Sequence, residues 1–191
     1  MSWHLAVAKE LKVSAPKIFV ETGAYLGNGI ADALGTHHFT QVHSIELSPK
    51  WHAHCAKRFQ NDSRVHMHLG DSAVVLEQLL VSGVLPADEP VLFYLDAHWS
   101  GGETAGEHVD NGCPVMRELE VLVKHRKREL ADVIVVDDLR LMGKDSWSGG
   151  YEEIYPLTRF DFRHAAPEKM RELLSHKRVA ECAKPDRLIF F

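Results

Sequence analysis

The sequence predicts a doubly wound α/β domain, with a mostly parallel sheet and an antiparallel hairpin at its C-terminal end. Short apolar runs alternate with helix-like stretches, and no linker or internal repeat interrupts the alternation. The runs at 90–96 and 132–138 are continuously apolar, which is typical of parallel strands covered on both faces. The 191 residues, 45% of them hydrophobic, suffice for one buried core, so residues 1–191 are expected to form one domain.

Seven segments are predicted to be strands because each is short, apolar and bounded by turn-forming residues. In chain order they are residues 17–22, 41–47, 65–70, 90–96, 132–138, 178–182 and 187–191. The last two are joined by the short turn Lys184-Pro185-Asp186. Strands joined so closely pair antiparallel, which predicts the C-terminal hairpin.

Helices are predicted between the strands, where start signals precede apolar stripes. These signals are Ser48 with Pro49, Asp71 or Ser72 ahead of residues 73–80, Pro114 ahead of Met116, Leu119, Leu122 and Val123, and Pro167 ahead of Met170, Leu173 and Leu174. The basic run 124–128 is expected to be the solvated end of the helix that Pro114 opens, where positive charge suits the helix dipole.

Composition and charge narrow the class of protein. The net charge of −5 gives no basic excess for binding polyanions, so nucleic acid is not expected as a partner. The first ten residues contain neither a signal peptide nor a membrane-spanning pattern, which favours a cytoplasmic protein without membrane association. The three cysteines are widely spaced and are expected to be reduced thiols.

Three glycines follow the first strand and lead into a helix-like stretch. Gly23, Gly27 and Gly29 permit tight turning and a close backbone approach, and amide groups at a helix start can bind ligand oxygens. Glu46 ends the next strand, where acids of doubly wound folds bind ribose hydroxyls. Together these features predict a site for a nucleoside-bearing cofactor.

The glycine spacing distinguishes between cofactors. A nicotinamide fingerprint has Gly-x-Gly-x-x-Gly, whereas this chain has Gly-x-x-x-Gly-x-Gly with Glu21 just before the turn. That pattern resembles the first motif of class I S-adenosylmethionine-dependent methyltransferases, and the resemblance extends over essentially the whole chain, implying a Rossmann-like methyltransferase fold. The cofactor-binding residues it implies are Glu21, Thr22, Gly23, Tyr25, Gly27, Gly29, Glu46, Leu47, Gly70, Asp71, Ser72 and Asp96.

The resemblance also implies individual roles. Glu21 would meet the ammonium of the methionine moiety, Glu46 would accept from the ribose hydroxyls, and Asp71 would accept from the adenine amino group. Each residue taken singly also has a structural interpretation, since Asp71 can simply cap the next helix and the glycines can simply turn the chain.

Three aspartates end the fourth and fifth strands. Asp96, Asp137 and Asp138 should converge at one sheet edge, where clustered carboxylates repel one another unless a cation neutralises them. Oxygen ligands of this kind suit Mg²⁺. The pattern resembles the metal site of catechol-type and macrocin-type O-methyltransferases, which implies these three residues as ligands. Capping of the following turn is the competing interpretation.

The chain departs from the catechol type at two positions of this motif. Asp138 stands where that group has Asn, and Trp99 stands where it has the lysine base. The catalytic base is therefore expected to be Asp96 itself or His98, whose ordinary pKa is near neutrality. His98 can equally be a hydrogen-bonded neighbour.

Two long connections follow the aspartate-bearing strands. Residues 99–106 are predicted to form a glycine-hinged lid, or else a plain solvated loop. Residues 137–140 with Trp147, Tyr151, Tyr155 and Arg159 are predicted to line the acceptor pocket, although such aromatics also form small packing clusters. Only about sixteen residues precede the first strand, so the acceptor must be enclosed by these loops or by a partner subunit in a homo-oligomer.

The expected function is S-adenosylmethionine-dependent methylation of a small-molecule hydroxyl, assisted by Mg²⁺. Two alternatives stay open at this stage. One is a nicotinamide oxidoreductase on a similar fold, which would share Glu46. The other is a cofactor-binding protein that does not transfer a methyl group.

Overall fold

The computed structural model describes residues 16–101, 104, 106, 109–146, 160–182 and 186–191. Seven strands within these ranges form one sheet in the order β3-β2-β1-β4-β5-β7-β6. They are β1 (Ile18–Thr22), β2 (Gln41–Glu46), β3 (Val65–Leu69), β4 (Val91–Leu95), β5 (Val133–Val136), β6 (Val179–Cys182) and β7 (Arg187–Phe190). The first five are parallel, and β7 runs antiparallel to β5 and β6, so the predicted sheet with its C-terminal hairpin is confirmed.

Five α-helices lie in the described ranges: α1 (Asn28–Gly35), α2 (Pro49–Arg58), α3 (Ser72–Val81), α4 (Val115–His125) and α5 (Pro167–Leu173). Their starts agree with the sequence signals. Ser48 is the N-cap of α2, and Asp71 caps α3 by accepting a 3.1 Å hydrogen bond from the Val74 amide. None of the described helices has the length and apolarity that crossing a bilayer requires.

Helices cover both faces of the sheet, as a doubly wound fold requires. Ile30 of α1 and Cys55 of α2 are buried with Phe19 on one face. Leu76 of α3 and Leu119 of α4 are buried on the other, together with residues of α5. The central strands therefore have no solvated face, which explains why their sequences are continuously apolar.

The basic run after α4 is partly internal, so the prediction that it is a solvated helix end is wrong at Arg126. This side chain is 9% exposed and forms a bidentate ion pair with Asp132, with nitrogen–oxygen distances of 2.7 and 2.8 Å. Asp132 also accepts a 2.9 Å hydrogen bond from the Val91 amide at the start of β4. The pair thus joins the end of α4 to the starts of β4 and β5.

The strand register brings the candidate site residues to one edge. Thr22 lies opposite both Ile45 and Leu95, and Leu95 lies opposite Val136, so β1, β2, β4 and β5 end at similar heights. Strand order reverses at β1, with β2 and β3 to one side and β4 and β5 to the other. In open α/β sheets such a reversal opens a crevice at the carboxyl ends of the strands.

Candidate active site

The loop after β1 requires glycine at its first position. Gly23 has a φ of +82°, and a Cβ there would lie 2.4 Å from the carbonyl oxygen of Asp96. Its amide donates a 2.9 Å hydrogen bond to the Ile45 carbonyl. Gly23 therefore lets the ends of β1, β2 and β4 approach one another more closely than any side chain would allow.

Gly29 has a different purpose, which is to make room for a buried carboxylate. A Cβ at Gly29 would lie 1.7 Å from Oε1 of Glu21, whose side chain is 3% exposed. The Ser44 hydroxyl donates a 2.7 Å hydrogen bond to Glu21 Oε2. Burial raises the pKa of Glu21 to about 8, against the opposing effect of the Ser44 hydrogen bond and with a further contribution from the negative charge of Asp96.

Glu46 is held in place by the backbone on both sides. Its Oε2 accepts from the Tyr25 amide at 2.8 Å, and its Oε1 accepts from the Ser48 amide at 2.7 Å. Since each carboxylate oxygen has two acceptor positions, both oxygens keep capacity for a ligand hydroxyl. The carboxylate is thereby fixed at the crevice before any ligand binds.

Asp71 caps the helix that follows it, which is the structural role predicted as the alternative to binding the adenine amino group. Besides capping α3, its two oxygens accept from the Arg117 guanidinium at 3.0 and 3.2 Å. Arg117 also bonds Asp110 at 2.6 Å, so it joins the start of α3 to the segment before α4. Contact of Asp71 with adenine stays a prediction.

A cavity of about 330 Å³ occupies the crevice. The sequence-predicted residues that line it are Gly23, Tyr25, Glu46, Leu47, Gly70, Asp71, Ser72, Asp96 and His98, together with Asp138. The lining does not include Glu21, Thr22, Gly27 or Gly29. Those four lie behind it: Glu21 is buried beside Gly29, Thr22 accepts from the Asp96 amide at 3.2 Å, and Gly27 is the N-cap of α1 with a φ of +79°.

One aromatic wall of this cavity was not predicted from the sequence. Trp51 of α2 lines it and packs edge-on against Tyr25, with ring centroids 4.6 Å apart. Trp51 is 9% exposed although its neighbours on the helix are charged or polar. Trp51 could have been identified from the sequence as an aromatic residue in the first turn of the helix that follows Glu46.

The segment predicted to be a lid borders the cavity. Ser100, Gly101, Thr104 and Gly106 line it, while residues 102, 103 and 105 lie outside the described residues. The Trp99 amide donates a 2.6 Å hydrogen bond to the Gly112 carbonyl, which ties the two ends of the connection together. Movement of this segment stays a prediction.

Of residues 137–140, which were predicted to line the acceptor pocket, Asp138 lines this cavity and Asp137, Leu139 and Arg140 do not. Arg140 instead bonds Asp138, and its Nη1 lies 2.6 Å from Asp186. Trp147, Tyr151, Tyr155 and Arg159 lie outside the described residues.

Asp96 and Asp138 each lie beside a different ring nitrogen of His98. Nδ1 of His98 lies 3.4 Å from Asp96 Oδ1, and Nε2 lies 3.1 Å from Asp138 Oδ2. One ring nitrogen and one oxygen from each aspartate lie within 4.8 Å of one another, a grouping that could hold a metal ion. The His98 side chain is 6% exposed.

Asp137, the other aspartate predicted to be a ligand, is not brought into this group. Its Oδ2 accepts from the Tyr94 hydroxyl and, at 3.1 Å, from Arg187 of β7. Its Oδ1 accepts from the Asp138 amide at 2.9 Å. The structure thus places His98, rather than Asp137, beside Asp96 and Asp138.

The pKa values of His98 and Asp138 are shifted in the directions expected for an ion pair. Burial by itself lowers the pKa of His98, but the adjacent carboxylates of Asp138 and Asp96 outweigh this effect and raise that pKa to about 9. Burial also acts to raise the pKa of Asp138, yet His98 and Arg140 together lower it.

No protein-family model and no curated protein matches the sequence. Solved structures do match. An O-methyltransferase from Bacillus cereus in complex with S-adenosylhomocysteine is 16% identical with a TM-score of 0.57, and the match covers 98% of this chain and 77% of that one. TomG, an O-methyltransferase of tomaymycin synthesis from Streptomyces achromogenes in complex with S-adenosylmethionine, is 14% identical with a TM-score of 0.55, covering 100% and 89%.

A third similar structure is that of a putative caffeoyl-CoA O-methyltransferase from Staphylococcus aureus. It is 12% identical with a TM-score of 0.55, and the match covers 100% of this chain and 82% of that one. This likeness agrees with three features of the present structure: the strand order, the helices on both faces of the sheet and the crevice at β1. The chain therefore has the Rossmann-like fold of class I S-adenosylmethionine-dependent methyltransferases.

Proposed function

We propose that this protein is an S-adenosylmethionine-dependent methyltransferase that methylates a hydroxyl group of a small molecule with the help of a divalent metal ion. The observation that carries the proposal is the fixed carboxylate of Glu46, held by the Tyr25 and Ser48 amides at a cavity beside the Gly23 turn. Carboxylates in this position accept the hydroxyls of a ribose, and the cavity continues from Glu46 to Asp96.

The chain's own residues divide the cavity into two parts. Glu46, Leu47 and Trp51 lie at one end, where an apolar and aromatic surface with one acceptor suits a nucleoside. Asp96, His98 and Asp138 lie at the other end, where charged groups suit the polar acceptor. The Asp96 carbonyl packs against the Gly23 turn while its carboxylate lies near His98, and this intermediate position supports transfer of a group between the two ligands.

The group formed by Asp96, His98 and Asp138 fits a divalent cation, because two carboxylates and an imidazole converge and because Nδ1 of His98 is buried without a hydrogen-bond partner among the described residues. When bound there, the ion would supply Lewis-acid stabilisation of the acceptor's alkoxide or phenolate. A His98 nitrogen that binds the ion cannot accept a proton, whereas Asp96 keeps a second carboxylate oxygen, so Asp96 is the stronger candidate for the base of the two predicted from the sequence. The cytoplasmic location stays a prediction.

The first test compares ligands by titration calorimetry. We expect S-adenosylhomocysteine to bind and NAD not to bind, because the glycine spacing and the Glu21 position follow the methyltransferase pattern. Binding of NAD alone would favour the oxidoreductase alternative and overturn the proposal.

The second test follows transfer of a labelled methyl group from S-adenosylmethionine to a panel of phenols, catechols and sugars, with and without divalent metal. Asp96→Ala should abolish metal-dependent transfer and leave S-adenosylhomocysteine affinity nearly unchanged. The reason is that the Asp96 backbone, which contacts Gly23 and Thr22, is retained in this variant. Unchanged transfer would remove the Asp96 side chain from the mechanism. Binding without transfer to any acceptor would favour the alternative of a cofactor-binding protein.

A further inference from the structure

We propose that Asp96, His98 and Asp138 form a mixed nitrogen-oxygen site for a first-row transition-metal ion of the Fe²⁺ to Zn²⁺ series, in which His98 is a ligand and Asp137 is not. The proposal concerns the metal of the proposed methyltransferase and in that sense rests on it. The binding itself can be measured without any methyl transfer.

The spacing of the three side chains suits a single ion. Metal–ligand bonds to imidazole nitrogen and carboxylate oxygen are roughly 2.0–2.2 Å, so two donors on one tetrahedral ion lie roughly 3.4 Å apart. His98 Nδ1 lies 3.4 Å from Asp96 Oδ1, which is the spacing of two donors on one ion, whereas the 3.1 Å contact with Asp138 is made by the other ring nitrogen, Nε2. Since one ring nitrogen and one oxygen from each aspartate lie within 4.8 Å of one another, a movement of the Asp138 side chain toward Nδ1 would complete a set of three donors.

His98 provides an independent indication of a ligand. Its side chain is 6% exposed, and Nδ1 has no hydrogen-bond partner among the described residues, since the 3.4 Å contact with Asp96 is outside hydrogen-bond geometry. Nε2 is near both Asp138 and, at 3.2 Å, the Ser100 hydroxyl. A buried polar atom without a partner is unfavourable, and histidine ligands bind a metal through one nitrogen while the other nitrogen donates to a carboxylate or similar group.

Asp137 is unavailable for a chemical reason. Its carboxylate is already bonded by Arg187, Tyr94 and the Asp138 amide, and bringing it to an ion would break its ion pair with the largely buried Arg187. Asp138 shares Oδ1 with Arg140, which is also paired with Asp186, and keeps Oδ2 toward His98. The donor set is therefore two oxygens and one nitrogen.

That donor set selects among metals. Mg²⁺ takes oxygen ligands in near-ideal octahedral geometry, whereas imidazole is a good ligand for Zn²⁺, Fe²⁺ and Ni²⁺. A nitrogen at one of three protein positions thus favours the transition-metal ions over the Mg²⁺ that the sequence pattern suggested. The remaining coordination positions would be open to water or to an acceptor hydroxyl.

The test measures the affinities of chelator-treated protein for Co²⁺ and for Mg²⁺, by visible absorption of the bound Co²⁺ and by calorimetry. His98→Gln replaces the nitrogen donor by an amide oxygen, and it should lower the ratio of Co²⁺ to Mg²⁺ affinity by roughly tenfold or more, a change of the size that follows loss of a supporting metal contact. The matched control Asp137→Asn should leave that ratio and the Co²⁺ spectrum unchanged. Because a ratio does not depend on the folded fraction, partial misfolding of a variant does not obscure the result.

Two results would overturn the proposal. One is a His98→Gln variant with the wild-type ratio, and the other is loss of Co²⁺ binding in Asp137→Asn protein that still melts cooperatively. Binding of S-adenosylhomocysteine is measured in the same samples. Co²⁺ binding without S-adenosylhomocysteine binding would refute the methyltransferase function and leave the metal site standing, and the reverse result would do the opposite.

Discussion

Two glycines of helix α1 should respond in opposite ways to the same substitution. Gly29→Ala would place a methyl group 1.7 Å from Oε1 of Glu21, whereas Gly35→Ala meets no atom within 4 Å. Neither glycine has a positive φ, so the helical backbone accepts alanine at both positions. The pair therefore separates the effect of helix propensity from the effect of the buried carboxylate.

The magnitudes follow from three contributions. Replacing glycine by alanine in a helix stabilises by about 0.5–1 kcal/mol. Overpacking costs about 1–3 kcal/mol, and displacing the carboxylate from Ser44 costs about 1 kcal/mol more. We expect Gly29→Ala to lower the free energy of unfolding by roughly 1–3 kcal/mol and Gly35→Ala to raise it by up to roughly 1 kcal/mol.

Urea denaturation of wild type and both variants measures these differences directly. Adding Glu21→Ala removes the obstacle, so Gly29→Ala in that background should no longer destabilise, and the double-mutant cycle isolates the clash. Equal stability of the Gly29→Ala and Gly35→Ala variants would refute the placement of Glu21 against α1. The absence of coupling in the cycle would refute it as well.

Three further substitutions test other parts of the structure. Burial raises the pKa of Glu21 in the folded chain to about 8 from 4.5, so the folded chain retains a proton and the free energy of unfolding falls as pH rises between these values. Glu21→Gln should therefore remove a slope of roughly 1 kcal/mol per pH unit between about pH 5.5 and 7.5, measured by urea denaturation at several pH values. An unchanged slope would contradict the burial of this carboxyl group. Glu46→Gln should weaken S-adenosylhomocysteine binding roughly 10–100-fold by calorimetry, because one charge-assisted acceptor is worth roughly 1.5–3 kcal/mol, and an unchanged Kd would exclude a ribose role. Asp132→Ala should lower the free energy of unfolding by roughly 3–5 kcal/mol, because the buried Arg126 charge then lacks its carboxylate partner. Asp62→Ala, which breaks the more exposed ion pair with Arg64, should lower it less, and equal effects would contradict the internal position of the first pair.

The fold was accessible from the sequence because its signals are local. The continuous apolar runs of β4 and β5, and proline or aspartate at the helix starts, determine each element within a few residues of the chain. The roles of Gly23 and Glu46 could be predicted for the same reason. Gly23 follows β1 and Glu46 ends β2, so the prediction requires only that the ends of neighbouring parallel strands are adjacent. That condition follows from the strand order of a doubly wound sheet.

The partners of the charged side chains were not accessible in this way. Asp137 and Asp138 are adjacent in sequence, but both lie beyond the end of β5 and Asp138 has a φ of +52°, and only Asp138 lies beside His98. Asp137 is bonded by Arg187, fifty residues later in the antiparallel strand β7. Arg126 turns inward for a similar reason, since its partner Asp132 directly precedes the next strand, β5. Such choices depend on tertiary contacts that no local pattern encodes.

The position of Asp96 explains why the cofactor and acceptor parts of the cavity cannot vary independently. Its amide donates to the Thr22 hydroxyl, its carbonyl oxygen fills the space where Gly23 lacks a side chain, and its carboxylate faces His98. Any shift of β4 relative to β1 would therefore alter the glycine turn and the metal ligand set together. We therefore expect the paired register of these two strands, rather than the loops around the cavity, to set the separation between the methyl donor and the acceptor of the proposed reaction.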